Sequence, residues 1–118
     1  MVLVVDDSPF IRAFVAAALA RIDVATCEAE SVRAARAICH NLPLDAVVVD
    51  FELPDEPGVA LCQEMQRSSN VPVVLMSGHS EDDVRAQFPV HQQPYFLAKP
   101  FTLNQIQGLI RQIIGVAC

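Results

Sequence analysis

The fold class of this chain is decided by one apolar stretch, Leu44-Asp45-Ala46-Val47-Val48-Val49-Asp50. Its valines follow one another without polar residues between them, which is typical of a strand buried on both faces of a parallel sheet. Asp50 ends the stretch, at the edge where open α/β sheets bind their ligands. Residues 44–50 therefore predict a central parallel strand with a carboxylate at its functional end.

Strands and helices are predicted to alternate on both sides of this stretch. Four more short apolar runs predict strands, at residues 2–6, 23–27, 71–76 and 94–98. Amphipathic patterns predict helices between and after them. Five such strand-helix units predict an α/β fold, a single doubly wound parallel sheet of five strands in the order 2-1-3-4-5.

The helix starts carry recognisable capping signals. Ser8 is a predicted N-cap with Pro9 at the first helical position, and Thr102 begins a T-x-x-Q capping box before the last helix. The second and third helices are predicted at residues 31–40 and 57–67. The fourth, from Ser80, is the weakest of the set, because few apolar residues follow it.

Length and composition predict one compact domain, residues 1–118. Hydrophobic residues make up 53% of the 118 residues and charged residues 19%, which favours a single packed core over disorder. The longest apolar runs are far shorter than the roughly 20 residues of a membrane-spanning helix. The first residues also lack the basic region and cleavage motif of a signal peptide. We therefore expect neither a membrane segment nor a signal peptide.

Charge and cysteine usage exclude further classes. The net charge is −6 and Lys99 is the only lysine, so we do not expect this domain to bind nucleic acid directly. Cys27, Cys39, Cys62 and Cys118 are far apart and include no C-x-x-C pair. That spacing favours reduced thiols over disulfides or a zinc site, and with them a cytoplasmic location.

Three aspartates are predicted to meet at one edge of the sheet. In the order 2-1-3-4-5 the first and third strands are neighbours, so Asp6 and Asp7 are expected beside Asp50. Clustered carboxylates repel unless a cation joins them, and oxygen ligands with open positions suit Mg²⁺. A single strand-end aspartate is equally compatible with a helix cap. The three together predict a magnesium site.

Ser77 and Lys99 end strands at the same edge. Lys99 follows the fifth strand, where its ammonium group can neutralise a bound phosphoryl group. Ser77 ends the fourth strand, and the following Gly78 lets an anion approach closely. Taken alone, Lys99 is compatible with a solvated loop and Ser77 with a helix start. Beside the aspartates, they predict an anion site.

Taken in chain order, these motifs resemble the receiver domains of response regulators. The matching residues are Val5-Asp6-Asp7-Ser8, Val49-Asp50 with Pro54 and Gly58, Met76-Ser77-Gly78, and Lys99-Pro100-Phe101. The resemblance spans nearly the whole chain and implies a flavodoxin-like (βα)5 fold acting in two-component signalling. It implies a phosphoacceptor domain that catalyses its own phosphorylation and dephosphorylation, rather than an enzyme in the usual sense.

The resemblance also implies roles for single residues. Asp50 would accept a phosphoryl group from a histidine kinase or histidine phosphotransfer protein. Mg²⁺ would be bound by the carboxylates of Asp7 and Asp50 and by the backbone carbonyl of Glu52, with Asp6 acting through a water. Lys99 would hold a phosphoryl oxygen, as would Ser77.

A conformational switch is implied as well. Movement of Ser77 would let Phe96 turn inward and remodel the face made by the fourth helix, fifth strand and fifth helix, where an output domain or protein would bind. Phe96 lacks the hydroxyl of the usual tyrosine, Tyr95 should point to the other side of the strand, and Phe96 is equally compatible with plain core packing. Glu52 and His79 flank the expected path of a hydrolytic water and should tune the phosphorylated lifetime.

One segment departs from the family pattern. Residues 88–94 contain prolines, a histidine and glutamines where receivers usually carry a small Gly-Ala pair. We therefore expect the fourth helix to be short, mobile or displaced.

Two other functions and several contexts stay open. A haloacid-dehalogenase-type phosphohydrolase also uses a strand-end aspartate with Mg²⁺, but on its first strand and with substrate-enclosing insertions. A receiver-like module that works only through protein contacts is the other alternative. Within the favoured class, the chain is compatible with a single-domain regulator, part of a larger response regulator, or a hybrid-kinase receiver, which residues 74–79 resemble. The apolar last helix is compatible with a homodimer or with core packing.

Overall fold

Strands and helices alternate along the chain in a computed structural model that describes residues 1–115. The elements are β1 (Val2–Val5), α1 (Pro9–Ala20), β2 (Thr26–Ala29), α2 (Val32–Asn41), β3 (Ala46–Asp50), α3 (Gly58–Ser68), β4 (Val73–Ser77), α4 (Glu81–Arg85), β5 (Tyr95–Ala98) and α5 (Leu103–Ile114). A short 3₁₀ turn, Val90–Gln92, lies between α4 and β5.

The five strands form one parallel sheet in the order β2-β1-β3-β4-β5, as predicted. Val5 at the end of β1 lies opposite Val49 in β3. Asp50 lies opposite Met76 in β4. The carboxyl ends of the three central strands therefore lie side by side, which places the residues that follow them at one edge.

The uninterrupted valines are explained by two cores, one on each face of the sheet. Leu3, Val5 and Val49 pack with α2, α3 and α4. Val4 and Val48 pack with α1 and α5 on the opposite face. Each fully buried side chain of this size stabilises the fold by about 1.5–3 kcal/mol relative to an exposed one. A polar residue on either face of these strands would lose that stabilisation.

The predicted helix caps at both ends of the chain are confirmed. The Ser8 side chain accepts a hydrogen bond from the Ile11 N–H, with Pro9 in the first turn of α1. Thr102 and Gln105 form a reciprocal capping box at the start of α5. Each cap satisfies backbone donors that the first turn of a helix leaves unpaired.

The second strand lies further along the chain than the predicted 23–27. Asp23 adopts a left-handed conformation with φ +60° just after α1. Val24 N–H donates to the Leu19 carbonyl and Asp23 N–H to the Ala20 carbonyl, the pair of bonds that defines a Schellman motif. The first two residues assigned to the strand therefore terminate α1, and β2 begins at Thr26.

The remaining boundaries differ from prediction by one or two residues. β1 ends at Val5 instead of residue 6, β3 begins at Ala46 instead of residue 44, and β4 covers Val73–Ser77 instead of 71–76. The helices predicted at 31–40 and 57–67 begin one residue later, after their N-caps. Pro72 and Pro94 precede β4 and β5, because proline lacks the N–H that a strand ladder uses.

The fourth helix is short, as expected, with five residues. The segment after it is held by Gln93, whose side-chain amide donates to the carbonyls of Arg85 at 3.1 Å, Phe88 at 3.1 Å and Pro89 at 3.2 Å. Phe88 is buried against the α2-α3-α4 core. Hydrogen bonds from one glutamine thus hold the segment between α4 and β5.

Helix length and the state of the cysteines both bear on the environment of the chain. Across residues 1–115, no helix combines the length and apolar character needed to cross a membrane. Cys27 and Cys39 are partly buried free thiols and Cys62 is fully buried. Burial raises the pKa of the Cys62 thiol to about 12, which keeps it protonated and unreactive. Cys118 lies outside the described residues.

The close contact at the junction between β3 and α3 predicts that Gly58 cannot be replaced without a loss of stability. A Cβ at Gly58 would lie 1.9 Å from the Asp50 carbonyl oxygen, whereas a Cβ at Gly108 in α5 would meet nothing within 4 Å. Gly58→Ala should lower the free energy of unfolding by about 3 kcal/mol, because the backbone must shift. Gly108→Ala should raise it by about 1 kcal/mol through helix propensity. Urea unfolding measures both, and equal stabilities would contradict this interpretation.

Candidate functional site

Three carboxylates meet at the carboxyl edge of β1 and β3. One oxygen each from Asp6, Asp7 and Asp50 lies within 4.8 Å of the others. Asp6 is 1% exposed and Asp50 8% exposed, whereas Asp7 is exposed to solvent. The cluster forms because β1 and β3 are neighbours in register, so that the residues ending them come together.

Lys99 bridges two members of this cluster. Its Nζ lies 3.0 Å from Asp6 Oδ2 and 3.3 Å from Asp50 Oδ1. Burial acts to lower the pKa of Lys99, but the hydrogen bond to Asp6 and the charges of both carboxylates raise it above its usual value. The ammonium group is therefore charged at neutral pH and lies beside Asp50.

The electrostatics of the site favour a cation in addition to Lys99. Burial raises the pKa of Asp50; the Lys99 charge partly offsets this rise, and the Asp6 charge adds to it. One ammonium group does not balance three carboxylates, and the donors are all oxygens. Such a set fits Mg²⁺, which binds through one or two carboxylates and keeps several waters.

Asp6 and Asp7 have different surroundings within the cluster. Asp6 Oδ1 accepts from the Ser8 N–H at 2.9 Å, and its Oδ2 accepts from Lys99. Asp7 and Asp50, in contrast, line a pocket of about 350 Å³. The pocket leaves the Asp7 and Asp50 carboxylates accessible to a metal ion, whereas Asp6 already has two partners. The division between direct and water-mediated ligands stays a prediction.

Ser77 ends β4 and lines the same pocket. It is 1% exposed, and its Oγ accepts a hydrogen bond from the His79 N–H at 2.9 Å. The Ser77 carbonyl accepts from the Lys99 N–H at 2.8 Å. This backbone bond holds Lys99 next to Ser77, so both polar groups border the same pocket.

Glu52 and His79 lie together at the mouth of the pocket. His79 Nε2 contacts Glu52 Oε1. The His79 ring packs edge-on against Phe51 with centroids 5.4 Å apart. The sequence predicts both polar residues near the path of a hydrolytic water but does not predict that they pair. Their contact spans the β3-α3 and β4-α4 loops.

Phe96 lies away from this pocket, within the sheet. It is partly buried against the core that includes Leu75 and Val84 of α4. Tyr95 precedes it and is 40% exposed. The two aromatic residues therefore have different surroundings, and the switch role of Phe96 stays a prediction.

Two further contacts of the site region were not predicted from sequence. Arg12 in α1 donates to the Asp6 carbonyl at 2.7 Å. Asp55 accepts from the backbone N–H groups of Val32 and Arg33 at the start of α2. The Asp55 contact has no local signal, because its partners lie more than 20 residues earlier in the chain.

Residues 2–111 match the family model described as the response regulator receiver domain. The chain belongs to the response-regulator receiver family. The sheet order and the clustered strand-end aspartates described above agree with this assignment. The resemblance inferred from the motifs is thereby confirmed.

Similar proteins support the family assignment. The chain is 32% identical over 109 residues to the response regulator protein PilR of Pseudomonas aeruginosa, covering 92% of this chain and 24% of PilR. It is 28% identical over 110 residues to the KDP operon regulatory protein KdpE of Escherichia coli, covering 93% of this chain and 49% of KdpE. The chain thus spans a quarter to a half of these relatives.

Solved receiver structures have the same fold. The NtrX receiver domain of Brucella abortus matches with a TM-score of 0.83 and 28% identity, covering 99% of this chain and 100% of that chain. The chemotaxis response regulator CheY4 of Vibrio cholerae matches with a TM-score of 0.86 and 21% identity, covering 95% and 96%. The flavodoxin-like receiver fold predicted from sequence is confirmed.

The raised pKa of Asp50 predicts a stability difference in the metal-free receiver. A folded-state pKa above the unfolded value of 3.8 means that the ionised carboxylate destabilises the fold at neutral pH. In EDTA at pH 7, Asp50→Asn should therefore raise the melting temperature by several degrees, while Lys99 keeps Asp6 as its partner. The difference should shrink as the pH is lowered toward 3.8. Asp50 in the folded chain then becomes protonated, and the destabilising negative charge is lost.

Asp23→Asn is the matched control for that measurement. Asp23 is exposed, and asparagine also tolerates its left-handed backbone. Its melting temperature should stay close to that of the native chain. Equal melting temperatures for Asp50→Asn and the native chain at pH 7 would contradict the predicted destabilisation by the ionised Asp50 carboxylate.

Proposed function

We propose that this receiver accepts a phosphoryl group on Asp50 from a histidine kinase or histidine phosphotransfer protein, with Mg²⁺ as cofactor. One observation carries the proposal: the Asp50 carboxylate borders an open pocket, with the Lys99 ammonium 3.3 Å away and the Asp7 carboxylate beside it. A nucleophile, a fixed positive charge and a cation-binding carboxylate are the components that phosphoryl transfer needs.

The proposed transfer is a displacement at phosphorus. An Asp50 carboxylate oxygen attacks the phosphorus of a phosphohistidine, the P–N bond breaks, and the imidazole nitrogen leaves with the electron pair. The product is an acyl phosphate on Asp50. Dephosphorylation follows when water attacks the same phosphorus, which releases inorganic phosphate and restores the carboxylate.

The residues around Asp50 divide the charge of the phosphoryl oxygens. Asp7, Asp50 and the Glu52 carbonyl would hold Mg²⁺, with Asp6 acting through a water. The metal supplies positive charge against the phosphoryl oxygens. Lys99 binds another oxygen directly, since its ammonium group already lies within hydrogen-bond reach of Asp50.

Ser77 connects phosphorylation to the output face. Its hydroxyl turns toward a phosphoryl oxygen, and the space it leaves lets Phe96 move inward. The α4-β5-α5 face then changes and contacts a downstream output domain or protein.

We also propose that the domain can form a homodimer, because the NtrC4 receiver, which matches with a TM-score of 0.87 and 26% identity, is a dimer in its beryllofluoride-activated form. We place the domain in the cytoplasm, which the free thiols support.

Intact mass measurement tests the phosphoacceptor proposal. The purified chain is incubated with acetyl phosphate and Mg²⁺, alongside Asp50→Asn and an EDTA control. We expect one added phosphoryl group on the native chain, dependent on Mg²⁺ and missing in Asp50→Asn. No gain from acetyl phosphate or from a phosphorylated phosphotransfer protein would favour the alternative, a receiver-like module that acts only through protein contacts.

The contact between Glu52 and His79 predicts that both side chains affect the lifetime of the phosphorylated protein. Because the two side chains touch across the mouth of the pocket, Glu52→Ala and His79→Ala should each change the dephosphorylation rate in the same direction, by about threefold or more. The double variant should decay at the rate of the single variants. Decay is measured as the loss of phosphate from the phosphorylated protein. An unchanged decay rate in both single variants would contradict this role.

A further inference from the structure

The loop of residues 51–57, which joins β3 to α3, is closed tightly at its base. The Gly58 N–H donates to the Phe51 carbonyl at 2.9 Å, and Gly58 packs directly on the Asp50 carbonyl. Leu53 packs on the core below. The loop carries Glu52, the residue whose carbonyl is proposed to bind Mg²⁺. The position of that carbonyl depends on what holds the rest of the loop.

Asp55 bonds the middle of this loop to the start of α2. Its Oδ1 accepts from the Val32 N–H at 3.1 Å and its Oδ2 from the Arg33 N–H at 3.0 Å. The bond from Arg33 is the largest cause of a lowered pKa at Asp55. Ser31 caps the same helix separately, through the Ala34 N–H at 3.1 Å.

Glu56 forms a second link through Arg36, one turn further along α2. Arg36 Nη2 lies 2.9 Å from Glu56 Oε1, and its Nη1 also contacts the Glu56 carboxylate. Arg36 Nε donates to both Glu64 oxygens on α3, at 3.0 and 2.9 Å. The three side chains are about a third exposed, so the network adds little stability. The two parallel hydrogen bonds between Arg36 and Glu56 nevertheless fix the orientation of these two side chains.

The helix that receives these links is firmly held. Val32 and Ala35 in α2 are both 0% exposed and belong to the α2-α3-α4 core. Val32 is also the residue whose N–H binds Asp55. A buried residue thus supplies a fixed point against which the loop is bonded.

We propose that Asp55 is a positioning residue, which bonds the 51–57 loop to α2 so that the Glu52 carbonyl and the Asp50 carboxylate face the same cation. This inference rests on the proposed Mg²⁺ site and deepens it. The Arg36–Glu56 pair supports the same loop from the next turn of the helix. Removal of the Asp55 carboxylate frees the middle of the loop while its base stays closed.

Direct Mg²⁺ binding tests the role of Asp55. Isothermal titration of the full chain with MgCl₂ compares the native protein with Asp55→Ala, Asp55→Asn and Ser31→Ala. We expect about tenfold weaker binding for Asp55→Ala, the low end of the loss when a hydrogen-bonding partner of a metal ligand is removed. Asp55→Asn keeps one acceptor oxygen, so its affinity should be intermediate.

Ser31→Ala is the matched control, since it removes a cap from the same end of α2 without touching the loop. It should lower thermal stability but bind Mg²⁺ like the native chain. In metal-free ¹H-¹⁵N spectra, Asp55→Ala should shift the Glu52 amide and Ser31→Ala should not. These readouts distinguish loop positioning from a general loss of helix stability.

Three outcomes would overturn the inference. Native-like Mg²⁺ affinity in both Asp55 variants would show that the contact does not position the site. Equal losses in Asp55→Ala and Ser31→Ala would assign the effect to α2 stability. No Mg²⁺ binding by the native chain would instead overturn the proposed metal site itself, together with the inference that rests on it.

Discussion

The gathering of three carboxylates beside one ammonium group is the constraint on which the rest of this receiver depends. Parallel strands end at the same edge, so a sheet that places β1 next to β3 also places Asp6 and Asp7 next to Asp50. Their mutual repulsion and the burial of Asp50 favour any arrangement that adds positive charge. Lys99, which follows β5, supplies part of that charge, and the open pocket leaves room for a cation. The unfavourable electrostatics of the site and its affinity for a metal therefore have one cause.

A cluster of like charges persists only where the backbone cannot move apart to relieve it. The valines of β1 and β3 are buried on both faces of the sheet, between α1 and α5 on one side and α2, α3 and α4 on the other. Gly58 adds a close contact between the end of β3 and the start of α3. The core thus stabilises the fold with free energy that offsets the strain at the strand ends. This is the physical reason why apolar strands and a polar edge occur together in one sequence.

Features with local causes were predictable from the sequence, and features with distant causes were not. Strand order, the Ser8 cap, the Thr102 capping box and the clustered aspartates follow from short-range patterns and from the topology of parallel sheets. β2 was misplaced because an edge strand has a weak burial pattern and because Asp23 closes the preceding helix. The Asp55 contacts and the pairing of Glu52 with His79 depend on how separate loops meet. No spacing within either loop indicates its partner.

The two loops beside Asp50 differ in how they are held, and the difference bears on the direction of signalling. The β3-α3 loop is bonded to α2 by Asp55 and through Arg36. The β4-α4 loop has open space around Gly78 and leads into a helix of only five residues. In the proposed function, a phosphoryl group pulls on both walls of the pocket, but the wall bonded to α2 resists displacement. On that proposal the movement would pass through Ser77 toward α4 and β5, and the response would fall on the α4-β5-α5 face rather than on α2 and α3.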